Sequence, residues 1–90
     1  MAVYYVYIIR CKGRHGKVSH YTGYTNDLVR RFNEHRSGKG ARFLAGKKEL
    51  FVVCYEMFTK QGDAMRREIE IKRDHVLKHE LIEKNAAHDQ

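Results

Sequence analysis

Tyr21-Thr22-Gly23-Tyr24-Thr25-Asn26-Asp27-Leu28-Val29-Arg30-Arg31-Phe32-Asn33-Glu34-His35 reads as a short strand, a glycine and a helix. Asn26 is predicted to cap the helix, since its side-chain oxygen can accept an N–H that the first turn leaves unpaired. Asp27 suits the positive end of the helix dipole. Leu28 and Phe32 mark the buried side. At spacings of i, i+3, i+4 and i+7 from Leu28, Arg31 and His35 fall on or beside that side, where a plain amphipathic helix carries hydrophobes. Arginine is seldom buried without a partner, so either its stem covers apolar surface with the guanidinium in water, or the guanidinium meets an anion.

Upstream, Val3 to Ile9 is aromatic and β-branched throughout, the pattern of a strand covered on both faces. Lys12 to His20, polar and basic with two glycines, suits a hairpin loop that returns the chain antiparallel into Tyr21 to Thr25. Tyr5 and Tyr7 then share one face by the period of two, and Tyr21 can join them. Such a group is either a packed aromatic cluster or the beginnings of a site.

Downstream, Ser37 to Arg42 forms a flexible basic loop, extended by Lys47 and Lys48, that could contact phosphate. It lacks the lysine-serine or lysine-threonine ending of a nucleotide-binding P-loop. Leu50 to Tyr55, apolar on both faces, is expected to be a third and central strand. From Lys60 to Arg73 the period becomes helical, with Ala64, Met65, Ile69 and Lys72 on one stripe and Glu68 inside it. A carboxylate there is costly unless something positive meets it, and Lys72 is well spaced at i+4 to pair with it. Asp74 either caps a last helix over about 75–84 or lies within one bent helix. Residues Asn85 to Gln90 are expected to fray.

Ninety residues suit one small domain, 1–90, with its core over about 3–73 and no room for a second catalytic unit. Residues 1–48 hold eleven Lys and Arg against Asp27 and Glu34, a net +9, which leaves −2 for residues 49–90 of the overall +7. A basic half of this kind points to a polyanion, nucleic acid first. A membrane partner is not expected, because no basic amphipathic helix with an aromatic apolar face stands out and Val3 to Ile9 is far too short to span a bilayer. Cys11 and Cys54, with no CxxC or zinc spacing, read as small buried hydrophobes of a reducing, cytoplasmic setting.

Taken in order, these pieces resemble the GIY-YIG nuclease superfamily, most closely its small stand-alone members. Tyr5-Val6-Tyr7 stands where that superfamily has Gly-Ile-Tyr, and Tyr21-Thr22-Gly23 where it has Tyr-Ile-Gly. Arg31, eight residues after Gly23, matches the catalytic arginine, and Glu68 the metal-binding glutamate. The likeness spans about Val3 to Arg73. It implies an α+β fold, a three-stranded antiparallel sheet flanked by helices, and hydrolysis of DNA phosphodiesters with one divalent metal, Mg²⁺ or Mn²⁺, in repair or recombination. In that picture Glu68 holds the metal, Arg31 stabilises charge on the phosphate, Tyr7 and Tyr21 position or deprotonate the attacking water, and His35 assists.

The residue chemistry suits those roles. A hard cation takes oxygen ligands and keeps waters, so one carboxylate plus substrate phosphate can hold it. Arginine, permanently charged and forked, fits charge stabilisation and not proton abstraction. Tyr24, Arg30, Lys39, Arg42 and Lys47 are the expected nucleic-acid contacts, with DNA favoured over RNA. The asparagine that many relatives carry after the glutamate has no equivalent here, and Glu80 stands at one of its places. A separate protein partner would supply target choice. The alternative function is a non-catalytic nucleic-acid-binding module or subunit that keeps the fold and the basic face.

Overall fold

The computed structural model describes residues 2–86. The elements run β1 (Tyr4–Lys12), β2 (Val18–Thr25), α1 (Leu28–Arg36), β3 (Lys48–Phe58), α2 (Gln61–Arg73) and α3 (His75–Ala86), with short 3-10 turns at Arg14–Gly16 and Arg42–Leu44. The fold is the expected α+β one, a three-stranded antiparallel sheet with helices on both faces.

The sheet order is β2-β1-β3, so β1 is central and β3 is an edge, contrary to the expectation for Leu50 to Tyr55. The physical reason is coverage. On β1 both faces are closed, with Val6, Tyr7, Ile8 and Ile9 all at most 1% exposed. On β3 Tyr55 and Met57 on one face and, past the register shift, Phe51 on the other remain exposed, so the apolar run there is only partly covered and does not mark a central place.

One face of the sheet packs Val6 and Ile8 against Ala64 and Ile71 of α2 and Leu77, Leu81 and Ile82 of α3. The other packs Tyr7, Ile9 and Cys11 against Leu28 and Phe32 of α1 and Leu44 of the second 3-10 turn. Cys11 is buried and Cys54 half-buried, both as free thiols.

The cap of α1 is Asp27, not Asn26: its carboxylate accepts from the Arg30 N–H at 3.1 Å, while Asn26 Oδ1 accepts from Arg30 Nη2 at 3.1 Å. A carboxylate one residue later reaches the same unpaired N–H groups, so either residue type satisfies the sequence signal. Asp74 breaks the C-terminal pair into two helices. Its backbone leaves helical geometry and its side chain accepts from the Leu77 N–H at 3.0 Å.

Asn85 remains within α3 and donates to the Leu81 carbonyl at 2.7 Å, so fraying does not begin there. Residues 87–90 lie outside the described residues. No described helix is long and apolar enough to cross a membrane.

Candidate active site

The loop after α1, expected to be flexible, is built on hydrogen bonds. The N–H groups of Lys39 and Gly40 both reach the Glu34 carbonyl at 3.0 Å, and Gly38, at φ 82°, reverses the chain at the helix end. This reversal brings the Ala41 N–H to His35 Nδ1 at 3.0 Å. Gly40 is required there, because a Cβ at that position would stand 2.3 Å from Nδ1 and 2.9 Å from the His35 backbone nitrogen.

That contact assigns the tautomer of His35. A backbone N–H only donates, so Nδ1 accepts and the neutral ring carries its proton on Nε2. Nε2–H therefore donates to Tyr7 Oη, 2.8 Å away. Burial, followed by the Arg31 charge, pushes the His35 pKa below its ordinary value, which keeps the ring neutral and in this role.

Tyr21 completes the cluster. Its ring lies 6.4 Å from Tyr7 and 5.5 Å from His35 between centroids, and it stacks on Phe43 at 6.1 Å. Tyr5, expected in the same group, meets Tyr55 instead. Gly23 sits within β2 opposite Tyr7, not at a turn. Its lack of a side chain makes room for both rings, since a Cβ would lie 2.6 Å from Tyr7 Oη and 2.9 Å from Tyr21 Cε2.

Arg31 is half-exposed and pairs with Glu34 at 3.0 Å, a partner that sequence reasoning did not name although the i, i+3 spacing offered it. The Tyr7 pKa is pushed up to about 12, by burial first and then by Tyr21, with a downward pull from the Arg31 guanidinium and a further rise from the Glu68 carboxylate. Arg31, Tyr21 and Glu68 thus all act on one phenol oxygen. Burial outweighs the arginine, so at neutral pH Tyr7 is a phenol that can donate.

Glu68 lies on the α2 stripe of Ala64 and Ile71, both buried, while Met65, Ile69 and Lys72 face outward. The expected stripe is therefore turned by one residue, and Glu68 is closer to its centre than the sequence reading had it. Its side chain is 16% exposed, and Lys72 Nζ approaches no nearer than 3.6 Å. A largely buried carboxylate with one loose partner keeps oxygen lone pairs to offer a hard cation. Among the described residues no three His, Cys, Asp or Glu side chains gather into a metal site, so a cation would take its remaining ligands from water and substrate.

The expected nucleic-acid contacts differ in freedom. Lys39 and Arg42 are exposed and hold no ion pair among the described residues. Arg30 is tied to Asn26 and Asp27. Tyr24 is half-buried, and with Tyr4, Arg30, Arg31 and Glu34 it lines a cleft of about 510 Å³. Lys47 is half-buried: its ammonium donates to the Phe43 carbonyl at 2.9 Å and lies 4.1 Å from the centre of the Phe43 ring. That lysine clips the loop and is not a free phosphate contact in this state. Glu80, at the place of the missing asparagine, stays exposed on α3.

A family model described as the GIY-YIG catalytic domain matches residues 3–79. A UPF0213 protein of Staphylococcus haemolyticus is 44% identical over 72 residues, 80% of this chain and 83% of the relative. Another, of Cupriavidus necator, is 42% identical over 72 residues, 80% of this chain and 74% of the relative. The solution NMR structure of a UPF0213 protein from Bacillus halodurans matches with a TM-score of 0.51 at 38% identity, over 90% of this chain and 83% of that one.

Proposed function

The chain belongs to the GIY-YIG family, and on that footing we propose that it is a metal-dependent endonuclease that hydrolyses phosphodiester bonds in DNA, structure-directed or weakly specific, in repair or recombination. The observation that carries this reading is the cluster of Tyr7, His35 and Tyr21, at whose Tyr7 hydroxyl the charges of Arg31 and Glu68 are both felt. Binding of an anion alone does not need a carboxylate on the buried stripe of a helix.

In this reading Arg31 turns its fork from Glu34 to the phosphate and stabilises the charge that develops on it. Tyr7, held by the His35 Nε2–H, and Tyr21 position the attacking water. Proton abstraction by Tyr7 needs positive charge beyond Arg31, because burial first, then Tyr21 and Glu68, keep its pKa high. His35 is a positioning residue that holds the Tyr7 oxygen and does not itself titrate in the reaction. Glu68 would hold Mg²⁺ or Mn²⁺, which supplies charge stabilisation at the phosphate oxygens. Lys39 and Arg42 extend the contact along the backbone, and DNA is favoured over RNA. We read the ninety residues as one nuclease-like domain of cytoplasmic setting, with a protein partner to supply target choice.

The Glu68–Lys72 contact favours a second reading, since a glutamate satisfied by its helix neighbour need hold no metal. The chain would then be a non-catalytic nucleic-acid-binding module or subunit. One assay separates the two: incubation with branched, single-stranded and duplex DNA and with RNA, each with Mg²⁺, Mn²⁺ or chelator. Cleavage with metal and none in chelator supports the enzyme. Binding with no cleavage under any condition supports the module.

A further inference from the structure

The sheet face that carries Tyr7 continues to residues the chemistry above leaves unused. Tyr55 stands opposite Tyr7 in the β1–β3 register and Met57 opposite Tyr5, so all four project to one face. The rings of Tyr5 and Tyr55 meet edge to face at 5.9 Å, and Tyr55 is 55% and Val29 74% exposed. Between these rings and the first turn of α1 lies a cleft of about 320 Å³, walled by Tyr5, Tyr55, Leu28 and Val29 and rimmed by Asn26 and Asp27. Asn26 also lines the adjoining cleft that holds Arg30 and Arg31.

We infer that this cleft takes one unpaired nucleobase of a nucleic acid whose backbone passes Arg30 and Arg31. The inference rests on the nuclease reading for its polyanion and deepens it by naming the substrate class: single strands, flaps and frayed ends. The volume lies at the lower end of small-ligand sites, which span about 300–1,000 Å³, so the cleft suits a single base. Exposed aromatic rings stack any base. Asn26 gives its oxygen to Arg30, which leaves both amide N–H donors for an acceptor on a base edge and couples the two clefts through one side chain. A base paired within a duplex cannot enter, because its edge and both its faces are already taken.

The test is fluorescence anisotropy in chelator, where no cleavage intervenes, with a labelled single-stranded oligonucleotide, an abasic strand of equal length and a duplex. Wild type should prefer the single strand to the abasic strand on the order of tenfold. Tyr55→Ala, on an exposed position of an edge strand, should lose that preference, Tyr55→Phe should keep it, and Asn26→Ala should weaken it. Equal affinity for the single and abasic strands, with the steep salt dependence of phosphate contacts, overturns the base cleft and leaves the nuclease reading standing. A dimer in sedimentation that Tyr55→Ala dissolves, with no discrimination between probes, assigns the cleft to a second copy and overturns the proposal. No binding of any probe at low salt overturns both readings.

Discussion

Tyr7 Oη and His35 Nε2 stand 2.8 Å apart across 28 residues of chain, both side chains about 1% exposed. The bond joins the central strand to the last turn of α1. His35→Ala would leave the Tyr7 hydroxyl and the Ala41 N–H without this partner, at about 1–3 kcal/mol for each buried group. With relaxation, a loss of about 2–4 kcal/mol is expected in urea denaturation. A loss under about 0.5 kcal/mol, the range of an ordinary surface substitution, would mean that the ring is not a structural tie.

Acid should weaken the protein through the same ring. The His35 pKa is lowered in the fold, by burial first and then by Arg31, against an ordinary 6.5. The unfolded chain therefore binds more protons as pH falls through that value, and stability present above it is lost toward the lower folded pKa. His20 shifts the same way, through burial and then Lys78, so its effect adds. Urea midpoints at about pH 7.5 and about pH 5.5 should fall on acidification, and His35→Ala should shrink the difference without abolishing it. A midpoint that rises on acidification would contradict the sign.

Gly23→Ala tests the tyrosine pair. The new methyl would lie within 2.9 Å of both rings, and Tyr7, held by His35, cannot swing clear without breaking that bond. Stability should fall by about 1–3 kcal/mol, as for an overpacked core. Any cleavage should fall on the order of a hundredfold, the effect of a displacement of about 1 Å at a reacting group. An alanine variant with wild-type melting and cutting would show that the rings have room to move.

Much of this was legible in the sequence because the deciding signals are local. The arginine helix and the stripe glutamate are periodic patterns within one element, and the two tyrosine triplets are short motifs legible through their resemblance to a family pattern. What the sequence could not carry was what tertiary coverage decides. Leu50 to Tyr55 looked central because an apolar run does not say how far each of its faces is covered, and Phe51 on one face and Tyr55 on the other remain open to solvent. The His35–Ala41 contact depends on a loop that turns back by way of Gly38 and Gly40, and the sequence offered only the glycines as a sign of it. Lys47 looked like any other loop lysine until the fold put Phe43 beneath it.

That placement of Lys47 changes which charges should bind phosphate. Lys39 and Arg42 are exposed, whereas the Lys47 ammonium is held by the Phe43 carbonyl and ring. Log affinity for DNA should fall steeply with log salt, and neutralising Lys39 and Arg42 together should flatten the slope by about two contacts. Lys47→Gln should leave the slope nearly unchanged and lower the melting temperature instead. A slope reduced equally by all three would return Lys47 to the phosphate contacts.

Glu68 separates a structural role from a metal role most directly. Its side chain is 16% exposed on the stripe between Ala64 and Ile71, and Lys72 stays 3.6 Å away. If it serves mainly as the partner of Lys72, Glu68→Ala should cost a few tenths of a kcal/mol, about 0.2–0.5, and leave any cleavage intact. If it holds a cation, then in chelator it is a poorly compensated charge among apolar neighbours. Alanine, the better helix former, should then leave stability equal or higher. Cleavage should disappear while DNA binding in chelator persists or tightens, because a negative charge has left a phosphate site. Added Mg²⁺ or Mn²⁺ should raise the melting temperature of wild type modestly and that of Glu68→Ala less, since only binding to the folded state shifts the equilibrium. A Glu68→Ala protein that melts normally and cuts normally would remove the metal role, and the Lys72 pair would then be the whole account of that carboxylate.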